Sequence, residues 1–210
     1  MTLALSSKLK AAKLRVGSMQ NRKIVITGEI ASGKSTVSKF IRKCGYPVFD
    51  ADFYAKKIME SPEISGEIFD KFGIYYGTKE FKTEMFKNEE LRDFVDRVVY
   101  KKLYAFFSNV NCGTVFFEIP LYFESIDAAR KSKFIPDCVL YVAANKNIRH
   151  RRMRSVRKMT KREILEREKY FLDANSKEDM SDYVIKNCGS MNLLIKNTRK
   201  FLDEEIKKAY

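Results

Sequence analysis

Hydrophobic residues along the chain form five short runs, and segments of helical periodicity lie between and after them. The runs are rich in β-branched and aromatic residues and cover 23–27, 46–50, 114–120, 138–143 and 182–186. Apolar residues recur every three or four positions at 35–43, 89–108, 147–154, 161–173 and 191–208. Short buried strands that alternate with helices are typical of parallel sheets with helices on both faces. The pattern therefore predicts an α/β fold with a parallel five-stranded sheet in a three-layer arrangement.

Residues 53–111 depart from this alternation. They contain two or three helical patterns and no convincing central strand, although predicted strands lie on both sides. We interpret this stretch as a mainly helical insert over the carboxyl edge of the sheet. Ligands of open α/β sheets bind at that edge, so the insert is a candidate for substrate binding.

Length and net charge limit the organisation and the partners of the protein. A chain of 210 residues can bury one good core, so we expect a single domain over residues 19–210. The formal net charge of +14 and the pI of about 9.5 indicate anionic partners, for which a nucleotide, an RNA and a lipid headgroup all qualify. No apolar run approaches the ~20 residues that span a bilayer, so we expect no membrane insertion.

The first 18 residues differ in composition from the rest of the chain. They contain Lys8, Lys10, Lys13 and Arg15 but no acidic residue, with leucine and alanine between the basic positions. This composition fits a targeting presequence, a leader added for expression, or a start assigned too early. Because Met19 stands just before the first predicted strand, we expect the folded protein to begin there.

Cysteine and histidine are too dispersed to predict a zinc site or a redox dithiol. Cys44, Cys112, Cys138 and Cys188 form no CxxC pair, and His150 is the single histidine. A core of this size needs no disulfides for stability. We therefore expect four free thiols in a cytoplasmic protein.

A phosphate-binding loop is the most specific motif in the sequence. Residues 28–35 read GEIASGKS and match G-x-x-x-x-G-K-[ST], after a predicted strand and before a predicted helix. The glycines let successive backbone N–H groups point at phosphate oxygens, and the helix amino terminus adds partial positive charge. We expect Lys34 to reach the β and γ phosphates of ATP and the Ser35 hydroxyl to help hold Mg²⁺. The predicted nucleotide contacts of this loop are Gly28, Ala31, Ser32, Gly33, Lys34, Ser35 and Thr36.

Carboxylates follow two of the predicted strands. Asp50 and Asp52 stand at the carboxyl end of the second strand, and the alternation of strand residues would make both face the same way. One could then orient a metal ion or a water molecule while the other accepts a proton, or Asp50 could simply cap the next helix. Glu118 follows the apolar run of the third strand, where we expect it beside the phosphate loop. The alternative for Glu118 is an exposed carboxylate at the sheet edge.

The most basic segment of the chain is RHRRMRSVRKMTKR, at 149–162. A solvated helix face, an RNA-binding stripe and an arginine-rich lid that closes over transferring phosphates would each account for it. A charge run considered alone favours the solvated face. In a chain with a phosphate loop upstream, we favour the lid.

Five of these features together resemble the dephospho-coenzyme A kinase family. They are GEIASGKST, the triplet Asp50-Ala51-Asp52, EIPLYFES at 118–125, the arginine-rich segment, and SDYVIKNCGS at 181–190. The strand-end motifs of that family resemble D-A-D, D-V-P-L-L-F-E and A-D-Y-V-I-D-N-x-G. The resemblance follows the same order from about residue 19 to the last predicted helix, which is nearly the whole folded chain.

The resemblance implies a fold, a reaction and roles for particular residues. The fold is a P-loop kinase with an acceptor-binding insert, and the reaction transfers the γ-phosphoryl group of Mg-ATP to the ribose 3′-hydroxyl of dephospho-coenzyme A. Asp52 matches the proposed general base, and Arg152 matches a lid arginine that contacts the transferring phosphates. Asn187 and Gly189 match the loop near the adenine. Lys34 keeps its phosphate-binding role.

Several positions depart from the family pattern. Tyr100-Lys101 stands where the insert usually carries His-Pro, and Lys101 is either a phosphate contact or a helix-surface lysine. The residues expected to contact the acceptor are Asp50, Asp52, Tyr100, Lys101 and Glu118. The other departures are Glu29 and Ala31 in place of loop glycines, Glu118 in place of an aspartate, and Val156 at the position of a second lid arginine.

These patterns lead to one predicted function and two alternatives. We predict an ATP- and Mg²⁺-dependent kinase whose small-molecule substrate is dephospho-coenzyme A. The alternatives are another small-molecule or nucleoside kinase of the same fold, and a non-catalytic, nucleotide-dependent RNA-binding protein. Retention of Asp52, Lys34 and Arg152 argues against the RNA-binding protein, so we do not expect nucleic acid as a partner. The patterns do not specify an oligomeric state.

Overall fold

The computed structural model describes residues 21–168 and 172–207. The prediction for residues 1–18 therefore lies outside the described residues, as do positions 169–171 of the predicted helix at 161–173 and position 208 of the last one. The described residues fold into two compact units. The first comprises 21–49, 111–124, 136–168 and 172–207, and the second comprises 50–110 and 125–135.

The strands form one five-stranded sheet, as predicted. They are β1 (Arg22–Thr27), β2 (Val48–Asp50), β3 (Thr114–Glu118), β4 (Cys138–Ala143) and β5 (Tyr183–Lys186), in the spatial order β2-β3-β1-β4-β5. The β1 strand pairs in parallel with β3 and β4, and β4 pairs in parallel with β5. This order places the end of β1 at the middle of the carboxyl edge, where neighbouring strands can supply side chains from both sides.

Three strands are shorter than predicted. The fifth begins at Tyr183 and not at 182, and the other two differences involve proline. The second strand begins at Val48 and not at 46, because Pro47 has no N–H group to donate to the sheet. The Pro47 carbonyl still accepts a hydrogen bond from Phe116 N at 2.9 Å. The third strand ends at Glu118, two residues before Pro120, after Ile119 N has donated to Ile26 O at 2.9 Å.

Helices occupy most of the remaining described chain. They are α1 (Lys34–Lys43), α2 (Ala51–Met59), α3 (Pro62–Phe72), α4 (Lys79–Lys87), α5 (Glu89–Ser108), α6 (Ile126–Lys131), α7 (Lys146–Ser155), α8 (Lys161–Glu168), α9 (Ala174–Asp179) and α10 (Met191–Lys207). The predicted helix at 161–173 is wrong at its end. Asp173 lies outside the helix and caps α9, since its carboxylate accepts from Asn175 N and Ser176 N at 2.9 and 3.2 Å.

The core of the first unit lies around its sheet. Every residue of β3 and β4 is buried, which explains why these strands read as continuous apolar runs. The core residues come from the sheet and from α1 and α10, and they include Ile24, Ile26, Val37, Ile41, Phe116, Leu140, Val142, Leu194 and Phe201. Burial on this scale holds the ends of β1 and β3, from which the candidate site is built.

The second unit is made of helices and has its own core. Its buried residues include Met59, Ile64, Ile68, Phe81, Leu91, Val95 and Val99. Side-chain caps begin α3, α4 and α5, with Ser61, Thr78 and Asn88 accepting from backbone N–H groups of these helices. Over 21–168 and 172–207, no helix has both the length and the apolar character needed to cross a membrane.

Candidate active site

The loop between β1 and α1 has the backbone shape of a phosphate cradle. Gly28 and Gly33 have φ angles of 143° and 112°, which residues with a Cβ rarely adopt. A Cβ at Gly28 would collide with the carbonyl oxygen of Val142, and one at Gly33 would collide with the side-chain amide of Asn187. Ala31 takes a left-handed φ of 61°, a conformation that a glycine at this position would adopt without strain. Glycine is therefore required at 28 and 33, whereas position 31 tolerates alanine.

Lys34 is held across this loop by two of its carbonyl oxygens. The Lys34 side chain is buried, and Nζ donates to the carbonyls of Gly28 at 2.6 Å and Glu29 at 2.9 Å. Lys34 is also the first residue of α1, whose first turn contains no acidic residue. The ammonium group and the helix amino terminus thus add positive potential at the same loop.

Ser35 and Glu118 form an oxygen pair beside the loop. Ser35 Oγ donates to Glu118 Oε1 at 2.9 Å. Pairing of Ile26 with Glu118 in the sheet places the last residue of β3 next to the strand that leads into the loop. Glu118 is 5% exposed, so it is a buried carboxylate and not an exposed edge residue. A hydroxyl and a carboxylate are oxygen donors of the kind that Mg²⁺ prefers.

Arg152 and Asn187 connect the loop to two other elements of the first unit. Arg152 Nη1 donates to the carbonyls of Ala31 and Ser32 at 3.1 and 3.3 Å, and Nη2 donates to the Asn187 carbonyl at 3.3 Å. The Asn187 side chain donates to the Ser32 carbonyl at 2.7 Å, and its backbone N–H donates to Ala143 O at 2.7 Å. The structure therefore gathers the phosphate loop, α7 and the turn after β5 into one network.

Gly189 and Thr36 lie at the margins of this network. Thr36 is in the first turn of α1, and its N–H donates to Gly33 O at 3.0 Å. Gly189 is exposed two residues after Asn187, and a Cβ there would approach only the movable end of the Leu193 side chain, at 2.9 Å. Gly189 is therefore not required by the space around it in the way that Gly28 and Gly33 are.

Asp50 and Asp52 do not share a strand face, so the prediction from strand alternation is wrong. The β2 strand ends at Asp50, and Asp52 lies in the first turn of α2. The Asp50 carboxylate caps that helix by accepting from Asp52 N at 3.0 Å and Phe53 N at 3.3 Å. Asp52 is exposed. The capping role, which was one of two alternatives for Asp50, is present in the structure.

The residues that replace the family's His-Pro pair lie in α5. Tyr100 is half-buried and stacks on Tyr104, with ring centroids 6.0 Å apart, whereas Lys101 is exposed. Both belong to the second unit, as does Asp52, while Lys34, Ser35, Glu118, Arg152 and Asn187 belong to the first.

An ionic cluster at the start of the basic segment was not foreseen in the sequence. Arg149 is buried, and its guanidinium lies 3.0 Å from the Glu29 carboxylate and 3.1 Å from that of Glu168. His150 also lies 3.0 Å from Glu168. The signal available in the sequence was Glu29 itself, since a carboxylate within a phosphate loop requires a nearby cation.

Electrostatics within this cluster favour an ionised carboxylate at Glu168. Burial raises the pKa of Glu168, but the hydrogen bond with His150 and the neighbouring positive charges outweigh that effect and hold the pKa below its ordinary value. Burial and the charge of Glu29 raise the pKa of Tyr141, so its hydroxyl stays protonated. Exposed arginines continue the basic segment beyond the cluster, namely Arg151, Arg154, Arg157 and Arg162, and Val156 is 77% exposed.

Comparison with known proteins identifies the family to which this site belongs. The sequence profile of a family described as dephospho-CoA kinase matches residues 22–192. A dephospho-CoA kinase of Fusobacterium nucleatum is 31% identical over 193 residues, which cover 86% of this chain and 96% of the relative.

Solved structures agree with the sequence comparison. The Thermus thermophilus protein TT1252 has a TM-score of 0.73 at 29% identity, over 88% of this chain and 98% of its own. A dephospho-CoA kinase of Campylobacter jejuni has a TM-score of 0.63 at 22% identity, over 91% of this chain and 100% of its own. These similarities confirm the predicted P-loop kinase fold and the predicted kinship, because the profile spans most of the chain. The chain belongs to the dephospho-CoA kinase family.

Proposed function

We propose that this chain is an ATP- and Mg²⁺-dependent kinase that phosphorylates the ribose 3′-hydroxyl of dephospho-coenzyme A. The observation that carries the proposal is the network of Lys34, Ser35, Glu118 and Arg152 around one phosphate loop, within a chain matched by the dephospho-CoA kinase profile. Positioned positive charge and oriented backbone N–H groups are the main requirements of phosphoryl transfer.

The phosphate loop is the proposed ATP site. Backbone N–H groups of the loop and of Thr36 would bind phosphate oxygens, as the helix amino terminus favours. Lys34 Nζ would exchange its two carbonyl partners for β- and γ-phosphate oxygens without changing its place over the loop. Asn187 and Gly189 are the proposed contacts near the adenine. The hydrogen bond from Asn187 to Ser32 O supports this role, because it fixes the turn after β5 against the loop.

Ser35 and Glu118 are the proposed protein groups around Mg²⁺. The ion, when bound with ATP, would neutralise charge on the β and γ phosphates. Within 21–168 and 172–207, no group of three or more His, Cys, Asp or Glu side chains is arranged to hold a metal ion. The remaining ligands would therefore be water and phosphate oxygens, as is usual for Mg²⁺ in kinases.

Asp52 is the proposed general base, and this role rests on the D-A-D motif. In the transfer, the proton of the 3′-hydroxyl would pass to the Asp52 carboxylate as the oxygen forms a bond to the γ phosphorus. The bond between that phosphorus and the bridging oxygen breaks, and ADP leaves. Arg152 would compensate charge on the phosphates during this step. Asp50, Tyr100 and Lys101 are the other proposed acceptor contacts.

A cytoplasmic location is part of the proposal. It is supported by the proposed use of Mg-ATP and by the presence of Cys44, Cys112, Cys138 and Cys188 as free thiols.

The test is an acceptor panel with the full chain. ADP release would be followed with Mg-ATP and, in separate reactions, dephospho-coenzyme A, adenosine and several nucleosides. The proposal predicts turnover with dephospho-coenzyme A well above the rates with all other acceptors. Turnover with a nucleoside alone would assign the chain to another kinase reaction, and ATP binding without turnover would favour the non-catalytic alternative.

A further inference from the structure

A carboxylate stands inside the phosphate loop of this chain. Glu29 is the second residue of GEIASGKS, and only 7% of it is exposed. Its backbone carbonyl accepts a hydrogen bond from the Lys34 ammonium group at 2.9 Å, so Glu29 belongs to the loop that would hold the triphosphate. A buried carboxylate at this position would repel phosphate unless a cation neutralised it.

Arg149 supplies that cation from the first turns of α7. Its Nε lies 3.0 Å from Glu29 Oε2, and its Nη1 lies 3.5 Å from the Ile30 carbonyl oxygen. Both ion-pair partners are almost fully buried, with side-chain exposures of 7% for Arg149 and 10% for Glu29. Screening by solvent is therefore weak, and loss of Arg149 removes the cation that neutralises the buried Glu29 carboxylate.

Arg149 is also held by the cluster on its far side. Its Nη1 lies 3.1 Å from Glu168 Oε1, and Glu168 in turn lies 3.0 Å from His150 Nε2 and 3.7 Å from Lys146 Nζ. The cluster borders a cavity of about 440 Å³ that Glu29 and Tyr141 also line. Arg149 is therefore fixed between two carboxylates, which leaves it little freedom to turn toward a ligand. Its guanidinium acts on the loop through Glu29.

We propose that Arg149 is a positioning residue that neutralises Glu29 and thereby sets how strongly the loop accepts highly charged nucleotides. The inference rests on the proposed ATP site but not on the identity of the acceptor. Without Arg149, the Glu29 charge adds repulsion that grows with the number of phosphates on the ligand. A purely structural ion pair would instead change the binding of all adenine ligands by similar factors. Discrimination by ligand charge thus separates the two roles.

The experiment measures binding to full-length wild type and to Arg149→Met, Glu29→Gln and the double variant. Dissociation constants of ATP, ADP and adenosine are determined by calorimetry with Mg²⁺ present, and circular dichroism checks folding. Arg149→Met should weaken the binding of ATP about tenfold or more and the binding of ADP by a smaller factor. The dissociation constant of adenosine should change by less than about twofold. The double variant should recover most of the ATP affinity, because it removes both charges. Glu29→Gln alone should bind ATP at least as tightly as wild type.

Three results would overturn the inference. The first is that Arg149→Met loses as much affinity for adenosine as for ATP. The second is that the double variant binds ATP no more tightly than Arg149→Met, and the third is that the wild type does not bind ATP. If Arg149→Met does not fold, Arg149→Gln removes the charge but keeps hydrogen-bonding groups. The dissociation constants of ATP, ADP and adenosine for that variant then test the inference in the same way. A wild type that binds ATP without phosphorylating dephospho-coenzyme A would refute the proposed function and leave this comparison intact.

Discussion

Removal of the Glu118 charge tests the oxygen pair beside the phosphate loop. In Glu118→Gln the side chain keeps its size, and its amide oxygen can still accept from Ser35 Oγ, which lies 2.9 Å from the carboxylate in the wild type. The fold should therefore persist. The lost charge should weaken both the orientation of the Ser35 hydroxyl and the binding of Mg²⁺ with ATP.

The magnitude follows from the kind of hydrogen bond that is changed. A bond to a charged acceptor contributes about 1.5–3 kcal/mol, and a bond between neutral groups contributes about 0.5–1.5 kcal/mol. Because Glu118 is 5% exposed, solvent offsets little of the difference. A loss of about 1–2 kcal/mol of transition-state stabilisation corresponds to a decrease of about 5- to 30-fold in kcat/KM.

Initial rates of ADP release, measured with dephospho-coenzyme A over a range of Mg²⁺ concentrations, provide the assay. We expect kcat/KM for ATP to fall by this factor and the Mg²⁺ concentration for half-maximal activity to rise. Glu118→Asp is the matched control, since it keeps the charge and only shortens the side chain, and it should lose less activity. If the glutamine variant stays within about twofold of wild type, or outperforms the aspartate variant, the role assigned to Glu118 is wrong.

Three further predictions concern single residues. Asp52→Asn should lose most phosphoryl transfer but keep ATP affinity, as measured by calorimetry; near-normal turnover would remove Asp52 as the base. Lys34→Ala should weaken ATP binding and turnover together, because the ammonium group would contact the phosphates both in bound ATP and in the transition state. Unchanged ATP binding would contradict that role. Arg22→Met should lower the free energy of unfolding in urea by about 3 kcal/mol, since it removes the guanidinium that lies 2.7 Å from the buried Glu205 carboxylate. Adding Glu205→Gln should recover part of that loss, and an additive loss would show that charge pairing is not the cause.

Local sequence signals predicted the sheet and the phosphate loop because each depends on neighbouring residues. Continuous apolar runs identified β1 and β4, and the fixed spacing of Gly28, Gly33 and Lys34 identified the loop. The left-handed φ of Gly33 agrees with that reading, since only glycine fits there at low strain.

Competing local effects explain why the predicted elements around Asp50 and Asp173 differ from the structure. The alternation that placed Asp50 and Asp52 on one face assumed a strand through both residues, but the Asp50 side chain caps α2 and ends the strand. Likewise, Asp173 begins a new helix by capping α9 and does not continue the previous one. In both cases an aspartate that looked like part of a longer element marks the boundary between two elements.

The pairing of Glu29 with Arg149 could not be predicted, because it joins residues that are distant in sequence. The basic segment contains several arginines, and no local rule selects the one that is buried. Selection depends on which face of α7 turns toward the loop, and Arg149, which pairs with Glu29, lies on that face. The buried position of Met153, one turn after Arg149, marks that inward face of α7.

The product that the full chain forms from Mg-ATP and dephospho-coenzyme A tests the proposed phosphoryl transfer. Phosphorus NMR and mass spectrometry of the reaction mixture would identify whether a phosphate has been added and at which ribose oxygen. We expect one new phosphomonoester at the 3′ position, formed in equal amount with ADP and strongly reduced with Lys34→Ala. ADP formation without a phosphorylated acceptor, or a phosphate at another position, would contradict it.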